Sequence, residues 1–278
     1  MSRFSLLRRT AAAVAVASLA AAGAAEAKGP RYDDAPASGR VLFVTTDQNQ
    51  LIRVNSNRPD RIKDVRSITG LAAGATLQGI DFRPSTGDLY GVGSDSVVYR
   101  INPRTGIAVA EAPAFTPALT GQFFGVDFNP TVDKIRVTSD TGLNLRLNVD
   151  EGTLLSNDAA LNPFMPRVVG SAYTNSSFSA TRPTATMLYA IDSATDTLSL
   201  QNPPNNGTLT TVRRLPFDIQ DQAGFDIAGT DNVGYIATRA NRGSALYVVE
   251  PTTGRSRSAG RIGGGNRLVV TGLAAWQD

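Results

Sequence analysis

The sequence predicts an all-β fold, a β-propeller of five four-stranded blades that is closed by pairing of the C-terminal strand with the N-terminal blade. Three observations predict it: a turn-rich composition with 26 glycines and 15 prolines in 278 residues, a motif that recurs along the chain, and incomplete repeats at the two ends. Successive copies of the motif lie 45 to 54 residues apart. Repeats of this length with four short strands each are typical of propeller blades.

The first marker of each repeat is a glycine within a short apolar strand. It occurs as GIDF (79–82), GVDF (125–128) and GFDI (224–227), with degenerate copies GSAY (170–173) and GLAA (272–275). A second marker follows as IRVN (52–55), YRIN (99–102) and LRLN (145–148), in which apolar and polar residues alternate as in a strand. Turns such as NPRTG (102–106) separate the strands.

The two chain ends complement each other. Four complete units begin at Gly79, Gly125, Gly170 and Gly224. The N-terminal remainder, from Val41 to about Gly70, holds the second to fourth strands of a unit but lacks the glycine strand. The C-terminal remainder, residues 271–276, is a single strand of the missing type. Together they predict a fifth blade, whose closure leaves no sheet edge exposed at the ring.

The N-terminus predicts export. Residues 1–27 read as a signal peptide, with Arg3, Arg8 and Arg9 before an uncharged apolar stretch and a small-x-small pattern at residues 25–27. The apolar stretch is too short to span a bilayer. We therefore expect a periplasmic or extracellular protein without a membrane span, a flexible leader at residues 28–39 and a single propeller domain at residues 40–278. Whether Arg8 and Arg9 form a twin-arginine signal stays open.

Composition excludes several functions. The chain has neither Cys nor His, which rules out disulfides, zinc sites with Cys or His ligands, and Ser-His-Asp or Cys-His catalysis. Without residues 1–27 the chain keeps 24 basic and 23 acidic residues. Because no run of basic residues remains, we expect no nucleic-acid binding. We expect a monomer whose partner is a protein or a small-molecule ligand.

Three long motifs resemble a known family. FFGVDFNPTVDKIRVTSDTGLNLRLNVDEGTLLSND (123–158), LQGIDFRPSTGDLYGVG (77–93) and LYAIDSATDTLSLQNPPNNGTL (188–209) are similar to the uncharacterised family DUF4394 of exported bacterial proteins. The resemblance covers about residues 40–276. It implies a bacterial exported protein with a propeller-like repeat, and it implies no activity, substrate or catalytic residue.

Asp81, Asp127 and Asp226 recur at one position of the first strand, so their carboxylates are expected to converge near the propeller axis. Together with backbone carbonyls they could hold Ca²⁺, which takes six to eight oxygen ligands. The structural alternative is that each carboxylate accepts hydrogen bonds from backbone amides in the adjacent loop. The two degenerate units lack the aspartate, which weakens a closed ring of ligands.

Two classes of function remain open. The favoured one is a non-enzymatic ligand- or protein-binding or scaffold domain, and the alternative is a glycoside-type hydrolase or lyase that uses the axial aspartates. Glycoside hydrolysis needs only two carboxylates. However, Glu111, Glu151 and Glu250 lie beside turns, and Trp276, the only tryptophan, lies on the closing strand, where burial is expected. No catalytic residue can be named.

Several polar residues are candidates for binding. Arg53, Arg100 and Arg146 occupy one position of the third strands, where they could bind an anion or could form a solvent-facing or inter-blade surface. Asn205 and Asn206 lie in the loop NPPNNG (202–207). The insertion at residues 174–186 is a candidate partner surface because of its length. On that interpretation, deleting residues 175–184 leaves the melting temperature nearly unchanged.

Overall fold

The computed structural model describes residues 39–264 and 267–277. In these ranges the chain forms twenty strands and one 3₁₀ helix, Pro204–Asn206. The predicted signal peptide and all but the last residue of the predicted leader lie outside the described residues. No helix in the described part is long and apolar enough to cross a membrane.

The strands form five antiparallel sheets of four, the blades. Blade 1 contains β1 (Val41–Thr46), β2 (Gln50–Asn55), β3 (Asp64–Ser67) and, at its inner edge, β20 (Val270–Ala275). Blade 2 contains β4 (Leu77–Phe82), β5 (Leu89–Gly93), β6 (Val98–Ile101) and β7 (Ala108–Ala110). Blade 3 contains β8 (Phe124–Asn129), β9 (Lys134–Ser139), β10 (Asn144–Asn148) and β11 (Thr153–Asn157).

The last two blades follow the same plan. Blade 4 contains β12 (Val168–Tyr173), β13 (Leu188–Asp192), β14 (Thr197–Gln201) and β15 (Leu209–Arg214). Blade 5 contains β16 (Ala223–Ile227), β17 (Gly234–Ala240), β18 (Gly243–Val249) and β19 (Ser256–Arg261). In blades 2 to 5 the first strand in sequence is the inner one, and β4, β8, β12, β16 and β20 contact one another in turn around the axis.

Blade 1 closes the ring. Its strand β1 pairs with β2 on one side and with β20 on the other, so that Phe43 lies opposite Ala274 and Val44 opposite Leu273. The prediction of an all-β propeller with five four-stranded blades and a C-terminal closing strand is confirmed.

The repeated glycine allows the inner strands to approach closely. A Cβ atom on Gly79 would lie 2.6 Å from Val126 Cγ2 in blade 3, and one on Gly224 would lie 2.6 Å from Leu273 N in blade 1. Real Cβ atoms do not tolerate such distances, so any side chain here would push neighbouring blades apart. The space left between the five glycine segments is only about 10 Å³, roughly the room that a single water needs.

The hydrophobic core lies between adjacent blades. One apolar cluster, for example, joins Tyr90 and Val92 of blade 2 to Phe128, Ile135 and Leu145 of blade 3. In the outer strand β11 half-buried and exposed residues alternate, whereas every residue of the inner strand β12 is buried. Each blade therefore buries both faces of its inner strands only because it has a neighbour on each side.

The insertion at residues 174–186 crosses the end of the axis at which the inner strands finish. It leaves blade 4, yet Ser179 N donates to Pro84 O in blade 2 and the Phe178 ring packs on Trp276, with 4.8 Å between ring centroids. Ser176 is 2% exposed. Because blades 1 and 2 are not adjacent to blade 4, these contacts are made across the axis. The first half of the insertion thus covers one end of the propeller, a position that loop length alone does not indicate.

Candidate functional site

The structure brings Asp81, Asp127 and Asp226 together at the axis. Each lies two residues after its marker glycine, and because successive side chains in a strand point to opposite faces, glycine and aspartate both face the axis. Carboxylate oxygens of the three residues lie within 4.8 Å of one another. All three side chains are buried, with at most 2% of the residue surface exposed. The corresponding positions of blades 4 and 1 are Ala172 and Ala274.

Each carboxylate accepts a hydrogen bond from the inner strand of the next blade. The bonds run from Phe128 N to Asp81 Oδ2 (2.8 Å), from Tyr173 N to Asp127 Oδ1 (3.1 Å) and from Ala275 N to Asp226 Oδ2 (2.6 Å). In addition, Asp81 and Asp226 each accept a hydrogen bond from the backbone amide of the residue that follows them. The aspartates therefore join blade to blade, whereas the sequence-based structural interpretation placed their partners in the adjacent loop.

Burial and mutual repulsion favour the protonated forms. Burial raises the pKa of Asp226 to about 7. Burial, followed by the charges of the neighbouring aspartates, raises the pKa of Asp81 and of Asp127 well above the ordinary range. Three carboxylates at this separation in a dry interior cannot all be ionised, so they share protons.

The same three residues are the group that could hold a cation. Ca²⁺ requires six to eight oxygen ligands, and five of the six carboxylate oxygens already accept backbone amides. The donor set therefore fits shared protons better than it fits Ca²⁺.

The three candidate arginines lie on different blades and in different environments. Arg53 is exposed on β2, and Arg100 on β6 pairs with Glu111 at 3.0 Å. Arg146 on β10 donates to both oxygens of Asp158, which is 4% exposed. Arg53 and Arg100 lie on the neighbouring blades 1 and 2, whereas Arg146 lies on blade 3 and is held by its ion pair with Asp158.

Asn205 and Asn206 differ although they are adjacent. Asn205 Oδ1 accepts a hydrogen bond of 2.7 Å from Arg136, whose side chain is 2% exposed and also contacts Asp158 at 2.6 Å. Both residues are exposed, but Asn206 takes part in the hydrogen bonds of this loop only through its backbone. The loop between β14 and β15 thus fixes blade 4 to blade 3 through a buried arginine. The sequence did not identify Arg136, because its place within a strand does not indicate whether its side chain is buried or exposed.

A pocket of about 230 Å³ opens on the axis at the end where the inner strands begin. We call it the axial mouth. Three amide side chains, Gln78, Gln122 and Gln222, line it together with Phe123 and Phe124. Further lining groups are Thr46, Asp47, Thr76, Asp221 and Thr271. Each glutamine stands one to three residues before a marker glycine, a signal that the repeat contained and that sequence reasoning did not use.

The axial mouth and the aspartate cluster are separate. Along β4, β8 and β16 the order from the mouth inward is mouth residue, marker glycine and then aspartate. The close-packed glycine segments therefore lie between a ligand in the mouth and the carboxylates. A group that is buried in this way cannot act on a glycosidic bond held at the mouth, since acid catalysis requires direct or water-mediated contact.

The fold and these sites define a five-bladed propeller with a polar pocket at one end of its axis. Residues 50–274 match the model of the family described as "Domain of unknown function (DUF4394)", and the chain belongs to that family. No curated protein matches the chain.

Two solved structures are similar to this chain. One is a structural genomics protein of unknown function from Bacteroides thetaiotaomicron VPI-5482, with a TM-score of 0.50 and 14% identity over 81% of this chain and 58% of the other. The second is an auxiliary nutrient binding protein from the same organism, with a TM-score of 0.45 and 13% identity over 85% of this chain and 64% of the other. This chain thus spans less than two thirds of either protein. At these identities the likeness concerns the fold alone.

Proposed function

We propose that this protein is a non-enzymatic binding propeller of the periplasm or cell exterior, and that its axial mouth takes an uncharged, hydroxyl-rich ligand such as a saccharide. The observation that carries the proposal is the convergence of three glutamines from three blades on one pocket. A side-chain amide both donates and accepts, as each sugar hydroxyl does, so three amides can bind several hydroxyls at once.

Charge and shape favour the same ligand class. Among the described residues that line the mouth, only Asp47 and Asp221 are charged, and Asp221 pairs with Arg167 at 2.7 Å. Both carboxylates can accept hydrogen bonds from hydroxyl groups, but they repel anions. Phe123 is half-buried and offers an apolar surface to a sugar ring. The volume of about 230 Å³ suits a ligand of monosaccharide size.

The buried carboxylates support a binding role over hydrolysis. Asp81, Asp127 and Asp226 bond to the strands around them and have almost no exposed surface. The proposal of an exported location depends on residues 1–27, whose pattern is that of a signal peptide.

The test is a titration calorimetry screen of neutral monosaccharides and disaccharides, with glucuronate as the anionic counterpart of glucose. We expect at least one neutral sugar to bind, glucuronate to bind more weakly than glucose, and Gln78→Ala and Gln122→Ala each to weaken binding about tenfold by loss of hydrogen bonds. Gln50→Ala is the matched control, because this half-buried glutamine on β2 lies outside the pocket.

Two outcomes contradict the proposal. One is that Gln78→Ala and Gln122→Ala leave the affinity of every bound sugar unchanged. The other is cleavage of a disaccharide that is lost in the folded Asp127→Asn variant, which would favour the hydrolase alternative.

A further inference from the structure

Two large clefts lie on the opposite face of the propeller, between blades 1 and 2. One of about 560 Å³ is lined by Phe43, Arg53 and Arg66 of blade 1, and another of about 620 Å³ is lined by Arg100 and Ile107 of blade 2. Pro103, Arg104 and Trp276 line both clefts, which are therefore continuous. We call this surface the Trp276 groove.

The groove carries unpaired positive charge. In the part of the chain that the structure describes, four arginines line it, Arg53, Arg66, Arg100 and Arg104, against two carboxylates, Asp64 and Asp88. Arg66 pairs with Asp64 at 2.9 Å, and Arg100 pairs with Glu111. Within the described residues, the guanidinium groups of Arg53 and Arg104 have neither an ion pair nor a hydrogen bond. Two free guanidinium groups fit two carboxylates of a ligand.

The floor of the groove is aromatic and rigid. Trp276 follows β20 directly, and its backbone amide donates to Val41 O. Its indole contacts Phe82 edge to face at 5.0 Å between ring centroids, and Phe178 of the insertion holds it from another side. The sequence-based expectation of burial is only half met, since Trp276 is partly exposed and lines the groove. An aromatic side chain held in this way is typical of a binding hot spot.

Exposed apolar side chains extend the groove. Val41 at one end is 36% exposed, and Ile107 and Val109 at the other are 51% and 55% exposed. Apolar surface and free arginines thus follow one another along the groove, from Arg53 past Trp276 to β7. A compact anion would contact one arginine and leave the apolar positions uncovered.

We infer that the Trp276 groove binds an extended acidic peptide segment of a partner protein, with carboxylates on Arg53 and Arg104 and an apolar side chain on Trp276. The groove is distinct from the axial mouth, because the two lie on opposite faces with the glycine segments and the insertion between them. The inference therefore does not depend on saccharide binding at the axial mouth.

Trp276 supplies a direct test, because it is the only tryptophan in the chain. The probe is an acetylated, amidated octapeptide of alternating glutamate and leucine, titrated into the full chain while tryptophan emission is followed. We expect a saturable change in emission, an affinity that falls with added salt, and at least a tenfold loss of affinity in Arg53→Gln and in Arg104→Gln. Calorimetry provides a second readout that does not depend on the indole.

Matched controls separate the alternatives. Arg242→Gln removes an exposed arginine from the turn between β17 and β18 in blade 5, and we expect it to bind the peptide as the unaltered protein does. Equal binding of the glutamine-leucine peptide would overturn the inference, as would unchanged affinity in Arg53→Gln and Arg104→Gln. Tighter binding of N-acetylglutamate or of an oligonucleotide with the same number of charges would also overturn it, in favour of a small anion or a nucleic acid.

Discussion

The axial aspartates act as acceptors for backbone amides of the neighbouring blade, in a place that water does not reach. A buried amide without a partner is costly, and a carboxyl oxygen at the end of a short side chain satisfies it across the gap between two inner strands. Because the three groups also lie close to one another, their protonation is linked to the stability of the ring.

Stability should fall as the pH rises from 5 to 9. Burial raises the pKa of Asp226 to about 7, and those of Asp81 and Asp127 are raised too, against an ordinary aspartate value near 3.9. The folded state therefore binds more protons than the unfolded state in this range, and the stabilisation is lost as the pH passes the folded-state pKa. Urea denaturation of the unaltered protein and of Asp226→Asn measures the effect.

We expect Asp226→Asn to show a shallower pH dependence, because an amide stays neutral at every pH used. Asp47→Asn, at an exposed aspartate, is the control and should keep the slope of the unaltered protein. The paired carboxylates Asp133 and Asp158 stay ionised and do not affect the result. Burial acts to raise their pKa values, but hydrogen bonds from arginine and serine side chains, together with the arginine charges, lower them. A stability that rises between pH 5 and 9 would contradict the shared-proton assignment.

Chelation tests the cation alternative for the same cluster. If protons rather than Ca²⁺ neutralise Asp81, Asp127 and Asp226, neither EDTA nor added Ca²⁺ changes the melting temperature at pH 7, because no ion binds the folded state. Differential scanning calorimetry is the measurement. An increase in the melting temperature with Ca²⁺ that is absent in Asp127→Asn would assign the cluster to the cation instead.

Asn205 and Asn206 form a natural matched pair. We expect Asn205→Ala to lower the free energy of unfolding by about 1–3 kcal/mol, because it removes an acceptor from the buried guanidinium of Arg136. Asn206→Ala should change it by less than about 0.5 kcal/mol, because this exposed residue bonds within the loop only through its backbone. Chemical denaturation gives both values, and equal effects of the two substitutions would argue against this role of Asn205.

At the scale of the element, the insertion at residues 174–186 acts as a cover for one end of the axis. It combines a buried hydroxyl, a backbone bond to blade 2 and an aromatic side chain that packs on Trp276. Arg182, further along it, contacts Asp133 at 3.2 Å, and Asp133 already pairs with Arg83. One loop thus links blades that share no sheet.

Removing the aromatic contact should destabilise the fold. For Phe178→Ala we expect a loss of about 2 kcal/mol in the free energy of unfolding, less than the 3–5 kcal/mol of a fully buried phenylalanine, together with a red shift of the Trp276 emission. Thr184→Ala, at an exposed position of the same insertion, should leave both unchanged. Unaltered stability in Phe178→Ala would restore the interpretation of the insertion as a free binding loop.

At the scale of the whole molecule, stability depends on the closing blade. Strand β20 supplies the inner strand of blade 1, pairs with β1 and lies between β16 and β4. Because every blade is covered by two neighbours, loss of this one strand exposes apolar surface on blades 1, 2 and 5 together.

Truncation after residue 266 should therefore remove the cooperative melting transition, because the shortened chain is no longer cooperatively folded at room temperature. A synthetic peptide of residues 267–278 should restore it, since the strand pairs by backbone hydrogen bonds that do not require a covalent link. The same peptide with Leu273→Asp, which places a charge at a buried position, is the control and should fail. Circular dichroism melts measure each case, and a truncated protein that melts like the full chain would contradict the role of closure.

The architecture could be predicted because each of its causes is local in sequence. The marker glycine, the alternating third strand and the proline-glycine turns recur in each unit, and the two partial units could combine in only one way. The convergence of Asp81, Asp127 and Asp226 followed from the same repeat, since equivalent positions of the inner strands meet at one axis.

The partners of those residues depended on the tertiary structure. The amides of Phe128, Tyr173 and Ala275 lie 46 to 49 residues from the aspartates that they donate to. Asn205 lies 69 residues from Arg136, and Phe178 lies 98 residues from Trp276. The sequence by itself determined the number of blades, their closure and the set of axial residues, because residues at equivalent positions of the repeats occupy equivalent positions in the blades. Only the tertiary structure decided which groups are buried, paired or open to a ligand. Burial and charge pairing depend on contacts between blades, and the sequence of a single repeat does not show which residues of two blades meet.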